Sequence, residues 1–187
     1  AHRHFLMAVC AQFMYVGAQV GTWSYFIQYV QEFTHQPEKV AGYFLTGTLG
    51  AFLVGRFSSA YLMRFVSPSK LLGTYAVINV LLVGFSVFYP GWAGLWTLFL
   101  TSFFMSLMFP TIFALGLKGL GPNTKIGGSL IVMAIVGGAL LPLLMGRIAD
   151  ARHSIAPAYL VPLVGYVFVV LYGFLWARPR YAPEAAK

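Results

Sequence analysis

Hydrophobic residues fall in six long runs along the chain, each separated from the next by a few polar residues punctuated with proline or glycine. The runs predict helices over 5–31, 40–66, 70–89, 92–117, 125–149 and 157–177. Each is long enough, at about 1.5 Å per residue, to cross a hydrocarbon core roughly 30 Å thick. The connections are His35 to Lys39, Ser67-Pro68-Ser69-Lys70, Tyr89-Pro90-Gly91, Gly121-Pro122-Asn123 and Arg152 to Pro157, where proline and glycine mark turns. They leave no room for a domain outside the membrane, and their shortness predicts that helices adjacent in sequence pack as antiparallel neighbours. The expected fold is an all-α membrane bundle of six crossings occupying 1–187 as one unit.

Polar residues inside the runs are the next signal. Arg56 lies in a stretch from Val40 to Phe65 that is otherwise uncharged until Arg64. An arginine at membrane depth must face protein or water, and such residues mark transport pathways; the competing reading is a side chain that snorkels to the inner surface. No carboxylate lies at matching depth, since Glu32 and Glu38 sit toward the outer side. On the first helix Gln12, Tyr15, Gln19 and Trp23 recur at three- or four-residue spacing and so share a face. Two amides, a phenol and an indole can bond hydroxyl groups and stack on the apolar face of a sugar ring, or they can serve ordinary helix–helix hydrogen bonding. Asn79 follows Tyr75 by one turn on the third helix, while Thr101, Ser102 and Ser106 add hydroxyls to the fourth. The two serines are expected to bond their own preceding carbonyls.

Small residues and prolines carry a second pattern. Gly17 and Gly21 on the first helix, Gly47, Gly50 and Gly55 on the second, and Gly127, Gly128, Gly137 and Gly138 on the fifth are expected to let backbones approach closely. Pro110 in the fourth helix and Pro142 after Gly137-Gly138 in the fifth each remove a helical amide. These positions predict packing, gating, or both.

Composition agrees with a lipid solvent. The chain of 187 residues is 59% apolar and 9% charged, with a mean hydropathy of +0.79, against about 25% charge in soluble domains. The formal +8 arises from 12 Lys and Arg against four acids. No dense basic stripe interleaved with aromatics accompanies it, so nucleic acid is not the expected partner. With both termini in the cytoplasm the inner side holds Arg3, Arg56, Arg64, Lys70, Lys118, Lys125, Arg178, Arg180 and Lys187, and the outer side holds Lys39, Arg147 and Arg152. Positive-inside bias selects that orientation. Trp92, Trp96, Tyr172 and Trp176 suit interfacial anchors. The chain enters its first apolar run at Phe5, which is expected of a section through a longer polypeptide rather than a secretory signal.

Enzyme chemistry finds little support. There is no phosphate-binding glycine loop, no HExxH helix and no paired carboxylates, and the Ser106 to Pro110 segment lacks a histidine base. His2, His4, His35 and His153 flank the runs and read as surface residues rather than proton relays, and the lone Cys10 supports neither a disulfide nor a metal cluster. No cofactor is expected.

Gln19-Val-Gly-Thr-Trp-Ser-Tyr25, Tyr43-Phe-Leu-Thr-Gly-Thr48, Gly55-Arg-Phe57, Phe109-Pro-Thr-Ile-Phe113 and Gly127-Gly-Ser129, in that order across almost the whole chain, resemble the carboxyl-terminal half of fucose permeases. These belong to the fucose, galactose and glucose proton-symporter branch of the major facilitator superfamily. Gly55-Arg56 with Arg64 and Lys70 also resembles a degenerate form of the superfamily's glycine and basic signature. The resemblance implies one six-helix half of a twelve-helix, alternating-access carrier in a bacterial inner membrane. Its partners would be a sugar, a proton, the lipid bilayer and an N-terminal half that holds the protonatable carboxylates. It implies cavity positions for Gln19, Trp23 and Arg56. It also places Phe109 where a fucose-type carrier can have tyrosine, which leaves the sugar open among fucose, galactose and glucose. The competing expectations are a major facilitator carrier for another small polar solute and, from a different class, a membrane structural or accessory bundle.

Overall fold

A computed structural model describes residues 3–177, so Ala1, His2, Arg178, Arg180, Glu184 and Lys187, the last four of which entered the charge count, lie outside the described residues. Within them the chain forms six helices long and apolar enough to cross a membrane. The first crossing is Arg3–Ser24, continued after a break at Tyr25 by Phe26–Thr34. The second is Glu38–Leu62 and the third Pro68–Phe88, which carries its proline at the first turn where a missing amide costs nothing. The fourth, Trp92–Leu117, is interrupted at Ser106-Leu107. The fifth, Gly121–Arg152, tightens to a 3-10 turn over Ala134–Val136, and the sixth, Ala156–Trp176, begins as a 3-10 turn and ends in the wide turn Tyr172–Trp176.

The first crossing is the axis of the bundle and packs against the fifth, the sixth and the second half of the fourth, Met108–Leu117. The third rests on the fourth and sixth, and the second rests on the fourth. Sequence neighbours are therefore not always spatial neighbours. The first and second crossings meet through Phe26–Thr34, while the second and third are joined by a short turn and do not pack along their lengths. Matching of small-residue faces overrides connection length. The second crossing buries Ala41, Thr48, Gly55 and Ser59, a narrow stripe on an otherwise exposed helix, and lays that stripe on the fourth. The first crossing buries Gly17 and Gly21 against the fifth, where a Cβ on Gly17 would overlap Leu141 and one on Gly21 would overlap Met145.

Tyrosine hydroxyls tie the helices together. Tyr15 donates to the Met105 carbonyl at 2.8 Å, Tyr29 to that of Ser86 at 2.7 Å, Tyr159 to that of Thr22 at 3.0 Å and Tyr25 to that of Pro142 at 3.0 Å, while Tyr166 reaches the Met105 sulfur. In a bundle whose outside is lipid, apolar burial distinguishes poorly between packed and separated helices, so bonds to carbonyls and close van der Waals packing set the arrangement. Trp92 and Trp96 are exposed, in keeping with an interfacial position, but Tyr172 is fully buried and is not an anchor.

A candidate substrate-cavity wall

The wall begins with a helix break. Pro110 has no amide, so the carbonyl of Ser106, four residues earlier, loses its partner in the fourth crossing, and the helix is interrupted there. The guanidinium of Arg56 takes that carbonyl, with Nη1 donating to it at 3.0 Å. Gly55 permits this approach, because a Cβ there would strike the Phe103 carbonyl and the Ser106 hydroxyl. The dipeptide Gly55-Arg56 thus lets two backbones touch and then closes the gap that proline opened.

The second and fourth crossings run parallel and in register, with Gly47 against Phe99, Thr48 against Ser102 and Gly55 against Phe103 and Ser106, so Arg56 lies level with the Ser106 carbonyl that it bonds. Arg56 is nonetheless exposed at the surface of this bundle. A guanidinium has five N–H donors, and Ser106 accepts from only one of its nitrogens.

One turn before Arg56, the ring of Phe52 meets Trp23 edge-on at 5.2 Å between centroids. Trp23 is partly exposed, and its indole nitrogen donates to the Ser102 hydroxyl at 3.0 Å. Ser102 in turn lies one turn before Ser106. Trp23 thus touches Phe52 and Ser102, and Arg56 touches Ser106, which links one region of the first, second and fourth crossings. Gln19, one turn before Trp23, and Phe109, one turn beyond Ser106, are both partly exposed.

The other expected positions lie elsewhere. Gln12, Tyr15 and Asn79 are fully buried within the bundle and do not open on the wall. The Tyr15 hydroxyl is held by Met105, whereas both amide atoms of Gln12 and of Asn79 lack a hydrogen-bond partner among the described residues. Gly47 faces Phe99 across the second and fourth crossings, with 3.0 Å left for a Cβ. Gly137 lies against the Phe13 carbonyl, and Gly138 against Val16 and Val20, so the paired glycines bring the fifth crossing onto the first. Pro142 sits inside the last segment of the fifth crossing, and its carbonyl receives Tyr25 from the break in the first. Ser106 follows the serine expectation and bonds the Phe103 carbonyl at 2.7 Å, but Ser102 does not: it meets Trp23 and Thr48.

Two members of this region, Thr48 and Phe52, were not singled out from sequence. Thr48 was nevertheless legible, because Ala41, Thr48, Gly55 and Ser59 form a run of small residues at seven- and four-residue spacing, the signature of one packed face. Phe52 carried no signal apart from its position one turn before Arg56.

No family model matches the chain. The chain is 44% identical over 179 residues to the L-fucose-proton symporter of Escherichia coli, an alignment covering 95% of this chain and 40% of that protein. It is 34% identical over 179 residues to a glucose/galactose transporter of Brucella abortus, covering 95% and 43%. The L-fucose-proton symporter of Haemophilus influenzae is 36% identical over 171 residues, covering 89% and 40%. A crystal structure of a major facilitator superfamily transporter, FucP, in the outward conformation superposes with a TM-score of 0.90 at 42% identity, covering 91% of this chain and 42% of that one. The chain thus spans less than half the length of the relatives it matches. Its six crossings form an all-α bundle consistent with half of a twelve-helix fold, and the chain is a partial, roughly half-length homologue of the fucose, galactose and glucose symporter family of the major facilitator superfamily.

Proposed function

We propose that the chain is the second six-helix half of a proton-coupled monosaccharide transporter in a bacterial inner membrane, with the start of the first crossing and the end of the last on the cytoplasmic side. The sugar binds between this half and an N-terminal half that supplies the protonatable carboxylates. Rocking of the two halves exposes the site alternately to each side of the membrane. The observation that carries this reading is the wall of Trp23, Phe52 and Arg56, with Gln19 one turn before Trp23.

Each side chain has a task that its chemistry suits. Trp23 offers a flat ring to the C–H face of a pyranose, and Gln19 offers an amide that both donates and accepts toward hydroxyls. Arg56 holds a permanent positive charge against the opposite half; it keeps its proton and so organises the cavity rather than carrying the coupled proton. Phe109 supplies apolar surface without a hydroxyl, which suits a site shared among fucose, galactose and glucose.

Counterflow in proteoliposomes tests this reading with the complete two-half transporter. Labelled L-fucose, D-galactose or D-glucose should exchange and be displaced by the others, and sugar addition should drive proton uptake. Exchange of none of the three would overturn the sugar assignment. The six-crossing half alone should not catalyse sugar-dependent proton uptake, because it forms one side of the cavity; uptake by the purified 187-residue chain would overturn the two-half mechanism.

A further inference from the structure

The Trp23 indole is anchored by a chain of hydroxyls with a forced direction. The indole nitrogen can only donate, and it donates to Ser102 Oγ at 3.0 Å. Ser102 Oγ stands 2.7 Å from Thr48 Oγ1, and Thr48 Oγ1 stands 2.8 Å from the Phe99 carbonyl, which can only accept. Each hydroxyl has one hydrogen. The arrangement that satisfies every group has Trp23 donating to Ser102, Ser102 to Thr48, and Thr48 to Phe99. Ser102 and Thr48 are fully buried, so water does not compete for these bonds. The three residues come from the first, fourth and second crossings, and Phe52 holds the ring from the side at an interplanar angle of 78°.

We propose that Ser102 and Thr48 are positioning residues for sugar binding. Their relay fixes the plane of the Trp23 ring and commits its N–H to the scaffold, so Trp23 meets the sugar by its face and supplies no hydrogen bond. The inference rests on the placement of Trp23 at the sugar site and deepens it. It assigns the polar contacts of this wall to Gln19 and Arg56, and the stacking contact to a ring whose orientation the second and fourth crossings set. The relay also makes the orientation of Trp23 depend on the contact between the second and fourth crossings, neither of which carries it.

The test uses the complete transporter, with counterflow of labelled L-fucose, D-galactose and D-glucose normalised to inserted protein. Ser102→Ala should raise the half-saturation concentration about five- to tenfold, the size of one lost hydrogen bond, while leaving the maximal rate near wild type. Trp23→Phe keeps a flat ring but has no N–H to anchor, and Ser102→Ala added to it should produce no further rise. Such non-additivity marks a shared interaction rather than two separate packing defects. Thr48→Val, which keeps shape and loses the hydroxyl, should weaken affinity, and Thr48→Ser should restore it; this pair carries the test if Ser102→Ala inserts poorly. Wild-type affinity in Ser102→Ala and Thr48→Val, with Trp23→Leu clearly weakened, would overturn the relay and leave the site standing. Wild-type affinity in Trp23→Leu would overturn both.

Discussion

The first and fifth crossings meet through the same residue type as the second and fourth, yet the two contacts are built differently. At the first pair, Gly17 and Gly21 receive Leu141 and Met145, Gly137 receives the Phe13 carbonyl, and the Tyr25 hydroxyl on Pro142 is the one side-chain hydrogen bond among the described residues. At the second pair, Gly55 brings two backbones together and three side-chain bonds then fix their register: Thr48 to Phe99, Thr48 with Ser102, and Arg56 to Ser106. Glycine decides how near two helices come, and polar bonds decide whether they can slide. Both pairs hold a proline and a helix irregularity, but the contacts of the first are mostly shape-dependent, whereas three polar bonds hold the register of the second.

The largest effect should come from filling the closest approaches. Gly55→Ala and Gly137→Ala both press a methyl into backbone carbonyls, which cannot turn aside as a side chain can. Each should cost about 1–3 kcal/mol or more and lower the thermal unfolding temperature of detergent-purified transporter. Gly21→Ala meets only the flexible end of Met145 and should cost less, and Gly17→Ala, which presses on Leu141 as far back as its Cβ at 2.8 Å, should fall between. Equal losses at all four would erase the distinction between backbone and side-chain contacts.

Arg56→Gln comes next. It should reduce initial sugar uptake roughly tenfold or more, the scale of a lost charge-assisted bond, with membrane insertion largely intact. Its structural share is separable, because the Arg56 bond serves a carbonyl that Pro110 leaves free. In Pro110→Ala the helix can bond that carbonyl itself, so Arg56→Gln should then destabilise the fold less, by about 1 kcal/mol, while uptake stays low. Recovery of uptake along with stability would make Arg56 a helix-break cap and remove it from the cavity.

Trp23→Leu should act on affinity alone. Leucine keeps apolar volume but not a stacking plane, and a several-fold rise in half-saturation concentration is expected at normal abundance, the scale of an aromatic contact of about 0.5–1.5 kcal/mol. A parallel fall in folded protein would instead make Trp23 a packing residue of the second and fourth crossings' wall.

The six crossings were readable because a run of some twenty apolar residues has few other physical uses, and the break in the fourth was readable from Pro110. The first-helix face was readable as a face but not as a site. Gln12, Tyr15, Gln19 and Trp23 share one side of the helix, yet the bundle encloses the first two and leaves the last two partly exposed. Periodicity gives direction around an axis and says nothing of how neighbouring helices close along it. Partner choice escaped for a related reason: short turns suggested that neighbours in sequence pair, while the complementary fit of small and bulky side chains paired the first crossing with the fifth and the second with the fourth. Ser102 was read as bonding its own helix because that option is local; the alternative partners, Trp23 and Thr48, become visible only when three crossings are placed together.

Gln12 and Asn79 should give the smallest effect, because they belong to neither glycine-built contact. Both are fully buried with amides that find no partner among the described residues, and an unpartnered buried polar group costs about 1–3 kcal/mol. Gln12→Met keeps an unbranched side chain of similar reach and removes that cost, so thermal stability should hold or rise slightly while sugar uptake remains close to wild type. Asn79→Leu removes an amide in the same way but adds volume, and should fall on the less stable side of Gln12→Met. Loss of uptake in Gln12→Met at full stability would show the amide at work during transport. The cavity would then reach past Gln19 into the part of the first crossing that this conformation encloses, and the wall of the second and fourth crossings would line only part of it.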